Sequence, residues 1–146
     1  MRAALVFISL CMIVGCSQRE ENRVAVYPVV GKLLVAGKPA QRAEITLHPL
    51  SSEGKVDTTT PAAKVIRPFA IVESDGVFRP TTFKQGDGAP AGDYAITVRW
   101  PSYTVDAGEE IAGPDQLKGQ YGDRNKPVRK VSIKPAENEL PTIDLK

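Results

Sequence analysis

The sequence predicts an all-β fold, a seven-stranded antiparallel β-sandwich. Three observations carry that expectation. Seven segments alternate apolar and polar residues with a period of two, the mark of a strand with one buried face. No segment sustains the longer period of a helix. The 12 glycines and 12 prolines of the 146 residues supply the turns that many short strands need, at a density below that of disordered chains. No internal repeat is visible.

The N-terminus does not belong to this pattern. Arg2 gives a positive n-region, and Ala3 to Val14 is an almost unbroken apolar run. A run this short falls below the about 20 residues that a helix needs to span a bilayer. It fits the h-region of a secretory signal peptide. Ile13-Val14-Gly15-Cys16 resembles the bacterial lipobox. That resemblance implies cleavage before Cys16 and lipidation of its sulfur. The expected organisation is a lipoprotein signal peptide at 1–15, a lipidated N-terminus with a polar tether at 16–23, and the sandwich domain at 24–146. Ser17, not Asp, follows the cysteine, which by the enterobacterial sorting pattern favours the outer membrane. The expected location is the cell envelope, with the lipid in an outer-membrane or periplasm-facing leaflet.

The predicted mature chain, Cys16 to Lys146, is 131 residues long. That is one domain of ordinary size, able to bury a core without metals or disulfides. It carries 18 basic and 17 acidic residues, a net charge of +1. Such a balance gives no strong field for nucleic acid. Cys11 leaves with the signal peptide and Cys16 is taken by lipid, so no disulfide is expected.

The first strand begins near Val24, with Tyr27, Val29, Gly31, Leu33 and Val35 on one face. Ala36-Gly37-Lys38-Pro39 is a turn signal. Ala43, Ile45 and Leu47 alternate with Glu44, Thr46 and His48 in the second strand, which Pro49 ends. Ser51 to Lys64 reads as a long polar loop. A third strand spans Val65 to Val72. Pro68 has no N–H for a ladder, so this strand lies at an edge or starts after the proline. Ser74-Asp75-Gly76 is a tight turn, and Val77 to Phe83 a fourth strand. Gly92 to Trp100 is the fifth, with Tyr94, Ile96, Val98 and Trp100 facing one way and Asp93, Ala95, Thr97 and Arg99 the other. Pro101 to Pro127 reads as the largest irregular segment, with one helical turn starting at Pro114. Val128 to Ile133 is the sixth strand. Glu139 to Leu145 is the seventh, with Pro141, Ile143 and Leu145 on one face.

Gly31, Gly37-Lys38-Pro39 and the following Ala43, Ile45, Leu47 and Pro49 resemble the opening of a carboxypeptidase-regulatory-like or transthyretin-like domain. Ser74-Asp75-Gly76-Val77-Phe78, Thr81-Thr82-Phe83, Gly86-Asp87-Gly88-Ala89-Pro90, Gly92-Asp93-Tyr94 and Trp100-Pro101 form a longer signature. It is similar to small lipoproteins abundant in planctomycete bacteria. Asp115, Leu117, Gly119, Tyr121 and Asp123, then Asn138, Ile143 and Leu145, extend the match. The resemblance implies a transthyretin-like or Ig-like sandwich and an envelope location. It transfers no functional residue except Cys16. The transthyretin-like enzyme 5-hydroxyisourate hydrolase uses several histidines, an arginine and a C-terminal Tyr-Arg-Gly-Ser. This chain has one histidine and ends Ile143-Asp144-Leu145-Lys146.

Candidate chemistry is therefore sparse. His48 sits on the polar face of its strand and reads as an exposed strand-end residue. With no second histidine and no free cysteine, no zinc site or catalytic group is expected. Asp75, Asp87, Asp93, Asp115 and Asp123 offer oxygen ligands for calcium, but without a regular loop spacing. Trp100, Tyr103 and Tyr121 offer a sugar-stacking surface, although Trp100 reads as core and Tyr121 as a pin for the long loop. Within that loop Asp106, Glu109, Glu110 and Asp115 form an acidic half, and Lys118, Arg124, Lys126, Arg129 and Lys130 a basic half interrupted by Asp123. A Lys32–Asn138 isopeptide is discounted because Lys32 points away from the core. The candidate contact residues are Tyr103, Tyr121, Arg124 and Lys126. The expected function is that of an envelope lipoprotein carrying a non-catalytic binding or structural module, without a cofactor. Its expected partners are the membrane, through Cys16, and an envelope protein or polymer. The alternatives are a calcium- or carbohydrate-binding module, or a small envelope hydrolase.

Overall fold

The computed structural model describes residues 23–57 and 65–146. The predicted signal peptide, Cys16, most of the tether and the end of the 51–64 loop lie outside the described residues. The strands in chain order are β1 (Val26–Tyr27), β2 (Val29–Val35), β3 (Lys38–Pro39), β4 (Glu44–Pro49), β5 (Phe69–Ile71), β6 (Val77–Phe78) and β7 (Ala89–Pro90). They continue with β8 (Gly92–Arg99), β9 (Pro101–Asp106), β10 (Glu109–Asp115), β11 (Arg129–Ile133), β12 (Asn138–Glu139) and β13 (Ile143–Leu145). All seven predicted strands are present, as β2, β4, β5, β6, β8, β11 and β13; most are shorter than expected, and β4 is shifted by one residue to include Pro49.

The fold is an all-β sandwich. One layer is the antiparallel sheet β11-β8-β4-β5, and the other gathers β3, β6, β12 and β13 around β2. Period-two alternation explains their union. Ala43 just before β4, Ile45 and Leu47 within it, and Ile96 and Val98 of β8 turn one face inward, and Leu33 of β2 meets them from the other layer. All are essentially fully buried, as is Phe78. Burying one such side chain contributes about 1.5–3 kcal/mol. The Tyr94 hydroxyl is also inside and donates to the Pro90 carbonyl at 3.0 Å; burial pushes its pKa up to about 12.

Several expectations are corrected. The segment 101–127 is not irregular: its first half is the β9–β10 hairpin. Ala107 and Gly108 at its tip both have positive φ (50° and 88°), the requirement of a two-residue turn matched to strand twist. The expected helical turn at Pro114 is a run of tight turns over Gln116–Tyr121. Lys118 and Gly119 both adopt positive φ, which a right-handed helix cannot accommodate. The closing strands are not antiparallel, since β12 and β13 both run parallel to β2. Crossing from one layer to the other lets the chain enter beside β2 in its own direction. Pro141 is exposed, and Leu140 is the buried neighbour. The fourth strand stops at Phe78, because Pro80 offers no donor. The third begins after Pro68 and lies at the sheet edge.

The outer face of the four-stranded sheet is less exposed than alternation implies. Ala95 is fully buried and Thr97 is 7% exposed. Register places His48 opposite Ala95, and Ala95 opposite Lys130, so these three form one row across the outer face.

Candidate functional site

The β9–β10 hairpin forms a two-stranded sheet apart from the two layers, and a short clamp towards its tip holds it. Isolated two-stranded ribbons are marginal in water, so such a clamp matters. Arg42 adopts a left-handed backbone (φ 67°), a conformation that costs a non-glycine residue about 1–3 kcal/mol. Its N–H is fixed on the Val72 carbonyl at 2.8 Å. From there its guanidinium donates two hydrogen bonds of 2.8 Å to the Glu110 carboxylate and lies 3.6 Å from the centroid of the Tyr103 ring. The bond to Glu110 is the main cause holding the Arg42 pKa above its ordinary value. The same bond holds Glu110 below its own. Arg99 adds a bond to the Glu44 carboxylate at 3.0 Å. Val105, opposite Glu110, is 71% exposed and Ile111, next to Glu110, 47%.

The three aromatic candidates each have an intramolecular task. Trp100 packs against the core and donates Nε1–H to the Gln41 carbonyl at 2.9 Å. Tyr103 has one ring face covered by Arg42. Tyr121 packs on the core, donates its hydroxyl to the Lys146 carbonyl at 3.0 Å and accepts from the Val98 N–H through its own carbonyl. It pins the loop, as its sequence position suggests.

Four of the five candidate aspartates are turn and loop caps, and Asp93 makes a cross-strand bond. Asp75 accepts from Val77 N–H, and Asp123 from Asn125 N–H. Asp93 bonds the Ser132 hydroxyl. Asp87 accepts from the N–H groups of Thr82, Phe83 and Lys84. Asp115 accepts from those of Trp100, Leu117 and Gly119, closing the base of the hairpin. Among the described residues no group of three or more metal-ligating side chains is assembled.

Partial burial alone raises the pKa of Asp87 and Asp115, but the converging backbone donors outweigh it, and both lie below the ordinary aspartate value. A carboxylate depressed in the folded state stabilises the fold fully above its unfolded pKa. That contribution is lost as pH falls through the lower folded value. Unfolding stability is therefore expected to decline below about pH 4. An Asp87→Asn/Asp115→Asn double variant, less stable at neutral pH, should show a shallower acid decline in denaturant titrations. An unchanged acid slope would contradict these assignments.

His48 corrects another expectation, since it is half-buried, not exposed. Its Nε2 shares a 2.9 Å hydrogen bond with Thr97 Oγ1. Its Nδ1 is buried without a partner among the described residues. Burial, then the charges of Arg67 and Arg124, hold its pKa below the usual histidine value. Arg124 also lies beside Lys55 and Lys130 in the lining of one cleft. Lys126 belongs to the same 123–126 turn. Lys32 is exposed, and the Asn138 amide donates to the carbonyls of Lys134 and Ala136.

The sequence did not single out Arg42, because nothing local marks an arginine for a left-handed backbone. Lys55 was missed as well, because its place beside Arg124 depends on how two loops meet.

No protein-family model and no curated protein matches the chain. Among solved structures, a candidate carbohydrate binding protein from Pseudomonas aeruginosa is 14% identical, over 82% of this chain and 89% of its own, with a TM-score of 0.45. A 9R-lipoxygenase from Cyanothece is 15% identical over 82% of this chain and 16% of its own, with a TM-score of 0.41. A 3-chlorocatechol 1,2-dioxygenase from Rhodococcus opacus is 11% identical over 88% of this chain and 62% of its own, with a TM-score of 0.35. Likeness at this level carries no activity from one chain to another.

Proposed function

We propose that this chain is an envelope lipoprotein whose non-catalytic sandwich holds a partner protein close to the membrane. Lipid on Cys16 anchors it in an outer-membrane or periplasm-facing leaflet, and the segment 17–23 spaces the domain from the surface. The kinship suggested by the Ser74–Pro101 signature, with small planctomycete-type lipoproteins of carboxypeptidase-regulatory-like architecture, belongs to the same proposal. The observation that carries the binding role is the β9–β10 hairpin. A strained Arg42 holds the ribbon through Glu110, and beside that clamp Val105 and Ile111 are presented to solvent. Exposed apolar side chains on a preorganised element lower the entropic cost of docking.

The test is a photo-crosslinking residue at Val105 in the full chain, expressed in living cells and followed by mass spectrometry. One dominant protein adduct is expected, lost when Cys16→Ser removes the anchor. Absence of any adduct from Val105 would remove the hairpin as the contact surface. Adducts to glycan alone would favour a carbohydrate-binding module.

A further inference from the structure

A second surface stands apart from the hairpin and does not depend on lipid anchoring. Residues 50–57 and the turn 122–127 meet beside β11. Between them is a cleft of about 260 Å³ whose lining includes Gly54, Lys55, Arg124, Asn125 and Lys130. This is below the roughly 300 Å³ at which pockets for drug-sized organic ligands begin, so it suits a single small group. Three cations line it, and no carboxylate does.

Each cation has donors to spare. Lys130 donates to the Gly54 carbonyl at 2.8 Å, which fixes its ammonium at the cleft and leaves further N–H groups free. Lys55 meets Glu53 only at 3.4 Å, with both side chains largely in solvent, a pairing worth little. Arg124 forms no ion pair among the described residues. Its planar fork is suited to two oxygens of one oxyanion. Burial, with the charges of Arg67 and then Arg124 added to it, holds the His48 pKa below its usual value.

We propose that this cleft is an oxyanion site that takes one phosphate group of a soluble ligand, held by Lys55, Arg124 and Lys130. A phosphate dianion offers three acceptor oxygens, enough for the arginine fork and two ammonium groups. The Asn125 amide, also in the lining, supplies a neutral donor.

The chain has one histidine, so a single imidazole signal, sensitive to the Arg124 charge, reports occupancy. The full-chain protein is titrated with inorganic phosphate at fixed pH and ionic strength, and the His48 resonance is followed by NMR. A saturable shift is expected. Arg124→Ser and Lys130→Ser should each weaken the apparent Kd about tenfold, a loss typical of one charge-assisted contact. Lys38→Ser removes the same charge from an exposed strand elsewhere and should leave Kd unchanged. A shift that does not saturate, or equal weakening by Lys38→Ser, would overturn the site. Vesicles containing phosphatidylglycerol separate the two sources of phosphate. If they move the His48 signal while inorganic phosphate does not, the soluble-ligand assignment fails.

Discussion

Gly88→Ala is expected to be among the most damaging glycine substitutions in the described residues. A Cβ at this position would stand 2.6 Å from the Tyr27 carbonyl carbon and 3.0 Å from Pro28 Cα. These are backbone atoms, so no side chain can swing away. Gly88 cannot retreat either. Its N–H donates to the Pro80 carbonyl at 2.9 Å, and its own carbonyl accepts from the Thr82 hydroxyl at 2.7 Å. Its φ of 97° adds a backbone cost. Combining backbone strain with overpacking gives a loss of roughly 3 kcal/mol or more, enough to break the β1–β7 pairing of Tyr27 with Ala89. Gly37→Ala is the control, because its φ is 75° with no atom within 4 Å of the added Cβ. It should cost only about 1 kcal/mol. Urea midpoints at matched slope would decide it, and near-equal losses for the two variants would show that the clash is absent.

The second expectation concerns Gly31 and Phe78, which face each other across the β2–β6 pair. A Cβ on Gly31 would stand 2.7 and 2.9 Å from two further atoms of the Phe78 ring, already too close to one. Gly31 has an ordinary backbone conformation, so the effect is purely steric. Gly31→Ala should cost about 1–3 kcal/mol by overpacking, and Phe78→Ala about 3–5 kcal/mol by opening a cavity in the core. The sharper measurement is the coupling. In a Phe78→Leu background, Gly31→Ala should cost at least about 0.5 kcal/mol less than in the parent. Additive losses would mean that the glycine is there for another reason.

Much of this fold was legible because alternation is a local signal. Ala43, Ile45 and Leu47 announce a buried face whatever surrounds them, and Pro68 announces that β5 begins late and at an edge. The β9–β10 hairpin shows where that legibility ends. Ala36-Gly37 and Ala107-Gly108 are the same dipeptide, and both form positive-φ turns. The first was readable because apolar β2 precedes it. The second was hidden because Asp106, Glu109 and Glu110 break the apolar alternation around it, and a ribbon apart from the two layers has no core face to alternate. The aspartates were ambiguous for a related reason. A carboxylate that will collect three N–H donors looks the same in sequence as one that will hold a cation.

The sequence alone determined that the chain is all-β, where most strands lie and which faces are apolar. These properties follow from residue spacing and backbone chemistry within a few positions. It also carried the lipobox resemblance at Cys16, with the expectation of an anchored protein. Only the tertiary structure decided that β13 runs parallel to β2, that Arg42 clamps Glu110 and Tyr103, that Asp115 closes the hairpin base, and that Lys55 meets Arg124 and Lys130. Each of these joins residues far apart in the chain, and their proximity is set by how the two layers close over the core.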